Sequence, residues 1–151
     1  MGGTEKYETH KIVLNSSACG GCLTCEQMCA ARHFNECRGD LSAIRIQVDF
    51  YEDTFTLFNC RQCPKPACKE ACPVGAIEYD EERGSYYVDD EVCIRCGQCV
   101  AACPFRGKFR PYIQLSPCDG VDYVVKCDLC HGFEDGPVCV AHCPKGALTI
   151  K

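Results

Sequence analysis

Four cysteines in the middle of the chain lie at short, regular intervals and could act together as metal ligands. The gaps between them are two, two and three residues, and a proline follows: Cys93, Cys96, Cys99, Cys103 and Pro104. Three thiolates at this spacing let a short loop wrap one iron–sulfur cluster, while the fourth thiolate points away from the loop. Zinc sites usually pair two C-x2-C units across a gap, so this spacing favours a cluster over zinc.

Three more cysteine loops repeat this spacing with small changes. Loop one, which begins at Cys19, keeps the gaps of two, two and three residues but ends in Ala30 instead of proline. Loop two begins at Cys60 and loop four at Cys127, and their middle gaps grow to four and eight residues. The stretch that begins at Cys93 is loop three. The four loops contain sixteen of the 18 cysteines in the chain.

Length and composition restrict the setting in which these loops act. A chain of 151 residues with a net charge of −5 is expected to be one domain and a poor partner for nucleic acid. The polar start carries no apolar signal region, and no stretch approaches 18 apolar residues. We therefore expect a cytoplasmic protein with reduced thiols and no direct membrane insertion.

The segments between the loops predict the elements that position them. A helix is expected after loop one, through Phe34 and ending near Gly39. Alternating apolar residues bounded by turn residues predict three β-hairpins. Their strands are Ile44–Phe50 with Phe55–Phe58, Val74–Tyr79 with Ser85–Asp89, and Tyr112–Leu115 with Val121–Lys126.

The order of loops and strands repeats once along the chain. The first copy runs from about Lys11 to Tyr79 and the second from about Tyr86 to Ile150. By the symmetry of this repeat, the last strand should pair with the first. The predicted fold class is α+β: tandem bacterial-ferredoxin-like lobes with short hairpins and short helices around four iron–sulfur clusters. The single domain 1–151 would divide into lobe A (11–43 plus 112–151, loops one and four) and lobe B (44–111, loops two and three).

This topology predicts how the sixteen cysteines are shared. In two-cluster ferredoxins the fourth cysteine of each loop ligates the other cluster. We therefore expect four complete sets of four ligands, each made of three cysteines from one loop and one from the partner loop. They are Cys19, Cys22, Cys25 and Cys143 (site 1); Cys60, Cys63, Cys68 and Cys103 (site 2); Cys93, Cys96, Cys99 and Cys72 (site 3); and Cys127, Cys130, Cys139 and Cys29 (site 4).

The four quartets, their gaps and the phrases C-P-V-G-A-I and C-P-K-G-A-L resemble the four-cluster ferredoxin-type electron-transfer subunits of molybdenum and tungsten oxidoreductases. The chain is most similar to the small subunit of tungsten aldehyde oxidoreductase complexes. The resemblance implies four 4Fe-4S clusters and a large tungsten- or molybdenum-pterin catalytic partner, with a flavin subunit that uses NAD as a further candidate. Dimethyl-sulfoxide-reductase-type, formate dehydrogenase and hydrogenase complexes are alternative settings. A zinc-binding interaction module is the alternative of another class.

The remaining chemistry-bearing residues add no catalytic set. Cys37 and Cys118 fall outside the quartets and are read as buried small hydrophobes. The histidines near ligands are read as packing or surface residues: His33, His131 and His142. A basic segment with Arg106, Lys108 and Arg110 either tunes a cluster, meets an acidic partner or is simply solvated. Without a nucleophile triad or phosphate loop, we expect a non-catalytic electron-transfer subunit.

Overall fold

The computed structural model describes residues 8–105 and 111–151. Within those residues short helices and short strands alternate, in agreement with the predicted α+β class. The strands are β1 (Ile12–Leu14), β2 (Ile44–Asp49), β3 (Thr54–Asn59), β4 (Ile77–Asp80), β5 (Ser85–Val88), β6 (Gln114–Cys118), β7 (Val121–Val125) and β8 (Leu148–Ile150). The helices are α1 (Thr24–Phe34), α2 (Ala67–Ala71), α3 (Gln98–Ala102) and α4 (Val138–His142), with a 3-10 turn at Gly39–Leu41.

The strands form antiparallel pairs. The three predicted hairpins are present as β2–β3, β4–β5 and β6–β7. The pairing of the first and last strands is also confirmed, because β1 lies against β8 with Ile12 opposite Ile150. The two ends of the described chain are thereby fastened together.

Several predicted boundaries are wrong. Strand β4 begins at Ile77, not at Val74, because the chain turns at Gly75 with φ +66°. The third hairpin turns at Asp119 and Gly120, not over 116–120, because both residues adopt positive φ (51° and 78°) and make a two-residue turn. Strand β6 therefore runs on through Pro117, which a strand paired on one side tolerates. Helix α1 ends at Phe34, before the expected Gly39, because Asn35 takes the left-handed conformation and caps it with its N–H on the Ala31 carbonyl.

Apolar residues gather in two main clusters, each around cysteines. The larger contains Ile12, Ile44, Ile46, Leu129 and Leu148 together with Cys25, Cys29, Cys127 and Cys139. The second contains Ile77, Tyr86, Ile113 and Val124 together with Cys99. Hairpin β2–β3 therefore packs beside loops one and four, and hairpin β6–β7 beside loop three. The division of the chain into lobes A and B stays a prediction.

Two sequence expectations concern regions away from these clusters. In the described part of the chain no helix has the length and apolar character needed to cross a membrane. The basic segment with Arg106, Lys108 and Arg110 lies outside the described residues.

Candidate metal centres

Three cavities in the structure are each lined by four cysteines. The empty space in each, including its opening to solvent, is about 360, 420 and 320 Å³. The first is lined by Cys19, Cys22, Cys25 and Cys143, the second by Cys60, Cys63, Cys68 and Cys103, and the third by Cys72, Cys93, Cys96 and Cys99. The structure thus brings together the cysteines expected at sites 1, 2 and 3, each time from two different loops.

The four cysteines expected at site 4 are all buried. Cys29, Cys127, Cys130 and Cys139 are 4–6% exposed. Burial and a neighbouring thiolate at Cys130 raise the pKa of Cys29. Burial, followed by thiolates at Cys29 and Cys130, likewise raises the pKa of Cys139. Cys29 of helix α1 also packs in the same cluster as Cys127 and Cys139 of loop four.

The backbone takes the same conformation at the start of each loop, and in loops two and three it directs N–H groups toward sulfur. The residue directly before the second cysteine has positive φ in all four loops: Gly21, Gln62, Arg95 and Leu129. This conformation brings the N–H of Gln62 to 3.4 Å from Cys60 Sγ and that of Arg95 to 3.4 Å from Cys93 Sγ. Such N–H groups stabilise negative charge on a coordinated sulfur.

The Gly-Ala pair that closely follows the C-P pairs of loops two and four has a structural explanation. Gly75 and Gly146 adopt φ of +66° and +57°, a conformation that glycine reaches without strain. The turn carries the next alanine back, so that Ala76 N lies 3.3 Å from Cys72 Sγ and Ala147 N lies 3.3 Å from Cys143 Sγ. Each fourth cysteine of these loops therefore also receives a backbone donor.

The pKa values of these thiols indicate the charge of the group that the sites would bind. Burial raises the pKa of Cys25 to about 12 and that of Cys68 to about 11. At Cys72, burial is outweighed by the backbone N–H groups of residues 74–77, led by that of Ala76, so its pKa is lowered. Four thiolates in one small cavity repel one another, and a bound cation removes that cost. The arrangement fits a positively charged group bound by the sulfurs.

A buried ammonium group adds a second observation of fit. Lys126 is 8% exposed and lines the cavity of site 2 together with Gln62. Among residues 8–105 and 111–151, no carboxylate lies within 4.0 Å of its Nζ. Buried charges in proteins are normally paired. An iron–sulfur cluster with four thiolates is a net anion and would supply the missing partner.

Thiols of different sites also lie near each other. The pKa of Cys139 in site 4 is raised first by burial, then by thiolates in its own site, and then by a thiolate at Cys25 of site 1. A thiolate at Cys60 of site 2 adds to the effect of burial on Cys127 in site 4. Cys99 of site 3 adds to the effect of burial on Cys68 in site 2. Packing supports the order 1, 4, 2, 3. Cys25 of site 1 and Cys60 of site 2 pack in one cluster with Cys127 and Cys139 of site 4, and Cys68 of site 2 packs in the other cluster with Cys99 of site 3.

The other singled-out residues behave differently from one another. His131 packs against hairpin β4–β5, stacked on Tyr87 with Nδ1 2.6 Å from Asp80. His142 meets its own helix, with Nδ1 3.0 Å from the Val138 carbonyl oxygen. His33 instead reaches loop four, with Nε2 3.7 Å from Cys130 Sγ.

The two cysteines outside the quartets also differ. Cys37 is exposed, contrary to its expected burial, and Cys118 is buried as expected. Cys118 lies beside Glu36, with its Sγ 3.8 Å from Glu36 Oε1.

Sequence reasoning missed two polar residues at site 2. Gln62 is 1% exposed and Lys126 8%. The usable signal was a lysine at the end of an otherwise apolar run, directly before Cys127. Nothing local in the sequence indicates that this lysine faces loop two and not solvent.

Comparison with known proteins gives these loops a family. The family described as "4Fe-4S dicluster domain" matches residues 59–107, a stretch that contains all eight cysteines of sites 2 and 3. Electron transport protein HydN of Escherichia coli is 38% identical, with coverage of 91% of this chain and 85% of HydN. The polyferredoxin-like subunit of aliphatic sulfonate oxidoreductase from Pyrococcus furiosus is also 38% identical, over 92% of this chain and 74% of that protein.

A solved structure shares the architecture. It is a chain of the active site complex BamBC of benzoyl coenzyme A reductase. The likeness has a TM-score of 0.51 at 25% identity and covers 95% of this chain and 79% of that one. The cysteine-lined cavities, the sulfur-directed backbone and these relatives agree on 4Fe-4S clusters as the cofactors. The chain belongs to the family of iron–sulfur electron-transport proteins that includes HydN.

Proposed function

We propose that the chain binds four 4Fe-4S clusters, one at each of sites 1 to 4, through the sixteen cysteines assigned above. The observation that carries this proposal is the lining of three separate cavities by four cysteines each, drawn every time from two loops. When bound, a 4Fe-4S cluster supplies one-electron redox chemistry. The chain's own part is to hold the four clusters in a fixed order and to exclude water from those inside.

The order of the sites supports a path for electrons. Sites 1 and 3 stand at the two ends of the series, and each contains one exposed cysteine, Cys22 and Cys96. Sites 4 and 2 stand between them, and all four cysteines of site 4 are buried. The function is electron relay through four clusters, with entry and exit at sites 1 and 3.

The partner that best suits this relay is a large metal–pterin catalytic subunit. Two of the similar proteins bear names or titles that place them in enzyme assemblies, a sulfonate oxidoreductase and a benzoyl coenzyme A reductase. We favour a tungsten- or molybdenum-containing subunit of aldehyde oxidoreductase type at one end of the relay. At the other end we place a second electron acceptor or donor, with a flavin subunit using NAD as one candidate. The compartment proposed is the cytoplasm, where the thiols stay reduced.

The proposal is tested by purifying this chain anaerobically from its own host with an affinity tag. We expect about sixteen irons per chain, matched by acid-labile sulfide. We also expect a co-eluting large subunit that contains tungsten or molybdenum. Stoichiometric zinc without sulfide would overturn the cluster assignment. Nickel in the co-eluting subunit would overturn the metal–pterin partner and leave the clusters standing, and a lone monomer with full iron content would show a free ferredoxin.

A further inference from the structure

A buried polar junction lies between two of the cysteine sites. Gln62 belongs to loop two and Lys126 directly precedes loop four, and both side chains are buried. Gln62 Nε2 donates to the Cys127 carbonyl at 2.6 Å, and Gln62 Oε1 accepts from Tyr86 N at 2.9 Å. This junction joins loop two, strand β5 and the start of loop four.

The contacts of Lys126 match the charged form of its side chain. Its Nζ donates to three oxygens: Gln62 Oε1 at 3.4 Å, the Cys127 carbonyl at 3.0 Å and the Tyr86 carbonyl. An ammonium group has three donors and no acceptor, so three carbonyl oxygens satisfy it fully. A neutral amine would leave a lone pair facing an acceptor.

The same ammonium faces the cavity of site 2. Lys126 is among the residues that line that cavity. The four cysteines of site 2 line the same cavity, so the buried ammonium of Lys126 lies beside the sulfurs that would hold the cluster.

We propose that Lys126 is a potential-setting residue that raises the reduction potential of the cluster at site 2. This inference rests on the proposed binding of a cluster there. Reduction adds one negative charge to a cluster, and a fixed buried cation stabilises that charge more strongly than an exposed one can. Site 2 lies in the interior of the series, so Lys126 favours the electron at an inner position of the relay.

Replacement of the charge tests the proposal in the cluster-loaded protein. In K126M, a redox titration followed by electron paramagnetic resonance should show a lower midpoint potential for site 2. We expect at least about a tenfold change in the one-electron equilibrium constant, or about 59 mV. K126R retains the charge and should stay near the wild-type value. The signal that C63S alters identifies site 2 among the four clusters.

The matched control is K65M. Lys65 lies between Cys63 and Cys68 in the same loop but is exposed, so water and salt screen its charge. We expect its removal to leave the site 2 potential unchanged. Equal shifts in K65M and K126M, or no shift in K126M, would overturn the proposal and leave four-cluster electron transfer intact. Absence of clusters from the wild-type protein would overturn the proposed function itself.

A second readout covers variants that fail to assemble. K126Q retains a side-chain donor toward the Tyr86 and Cys127 carbonyls but carries no charge. If K126M and K126Q both lack iron at site 2 while K126R fills normally, the charge is required to hold the anionic cluster, which supports the inference. Loss of iron in all three variants would assign Lys126 a purely structural role and would contradict it.

Discussion

Loop one ends differently from the other three loops, and its helix is longer than theirs. Helix α1 runs for 11 residues and contains Cys29 in its interior. Helices α2, α3 and α4 have 5 residues each and stop directly before the fourth cysteine of their loops. Ala30 follows Cys29, whereas a proline follows each of the other three fourth cysteines. Proline lacks the N–H that would continue a helix.

Helix α1 contacts loop four, which lies near the other end of the sequence. Beyond Ala30, Arg32 donates to the Gly136 carbonyl at 2.8 Å and to Asp135 at 2.6 Å. His33 packs edge-on against Phe133, with ring centroids 5.7 Å apart. These contacts all fall in the eight-residue gap of loop four, the longest of the four gaps. Loop one lacks the proline, so helix α1 extends further and its added residues pack against the long gap of loop four.

The largest expected effect comes from giving loop one the proline of the other loops. Ala30 is fully buried, within helix α1, against Leu41 and Cys118. In A30P the ring would remove a helical hydrogen bond and clash with the preceding turn, at a cost of about 3 kcal/mol or more. We expect site 4 to lose its cluster, because Cys29 and the cover over loop four both depend on this helix. Iron and sulfide analysis measures the loss.

The control for that variant is A30S, which keeps the backbone N–H and nearly the same volume. It should retain the full iron content. A protein with A30P that still holds all its iron would contradict the dependence of site 4 on helix α1.

A smaller effect is expected from removing the contact alone. R32A deletes the hydrogen bond to the Gly136 carbonyl while leaving the helix intact, and should cost about 1 kcal/mol. In a protein of this size that lowers Tm by about 2–4 °C. Thermal unfolding of the loaded protein, followed in the visible absorption of the clusters, measures the change.

D135N serves as the comparison for R32A. It removes only the exposed half of the contact, since the Asp135 side chain is 66% exposed. Its shift should be smaller than that of R32A. A larger shift in D135N would place the main contribution in the surface ion pair, not in the bond to the loop four backbone.

The smallest expected effect concerns the glycine turn that loop one lacks. G75A places a side chain at φ +66° with no atom within 4 Å of the new Cβ, so the cost is backbone strain of about 1 kcal/mol. Strain there moves the Ala76 N–H away from Cys72 Sγ and should lower the potential of site 3 slightly. The matched control is G20A in loop one, where the new Cβ would lie 3.8 Å from Lys145 and no positive φ is required. Redox titration of both variants should show a shift in G75A only.

Local signals in the sequence were enough for the hairpins and for the pairing of the chain ends. Alternating apolar residues predicted β2–β3 and β4–β5, and the repeat predicted that the last strand would pair with the first, as β8 does with β1. The third hairpin is the exception: the sequence pattern left residues 116–120 between the strands, whereas the positive φ of Asp119 and Gly120 makes a shorter, two-residue turn. The sharing of cysteines between loops came from the ferredoxin rule and stays a prediction.

Long-range polar contacts were out of reach of that reasoning. Gln62 and Lys126 meet from positions 64 residues apart, and Arg32 meets Asp135 from 103 residues away. Neither pair leaves a periodic pattern, because each depends on how two loops fold against one another. From Ala30 the sequence predicts only that the helix of loop one continues beyond Cys29. The contact of that helix with loop four appears only in the folded chain.

The exchange of the fourth cysteine between loops can be seen in the iron–sulfur connectivity of a crystal structure of the cluster-loaded protein, prepared anaerobically. We predict that Cys103 ligates the cluster held by Cys60, Cys63 and Cys68, and that Cys29 ligates the cluster held by loop four. Ligation of each cluster by the four cysteines of a single loop would show that no exchange occurs.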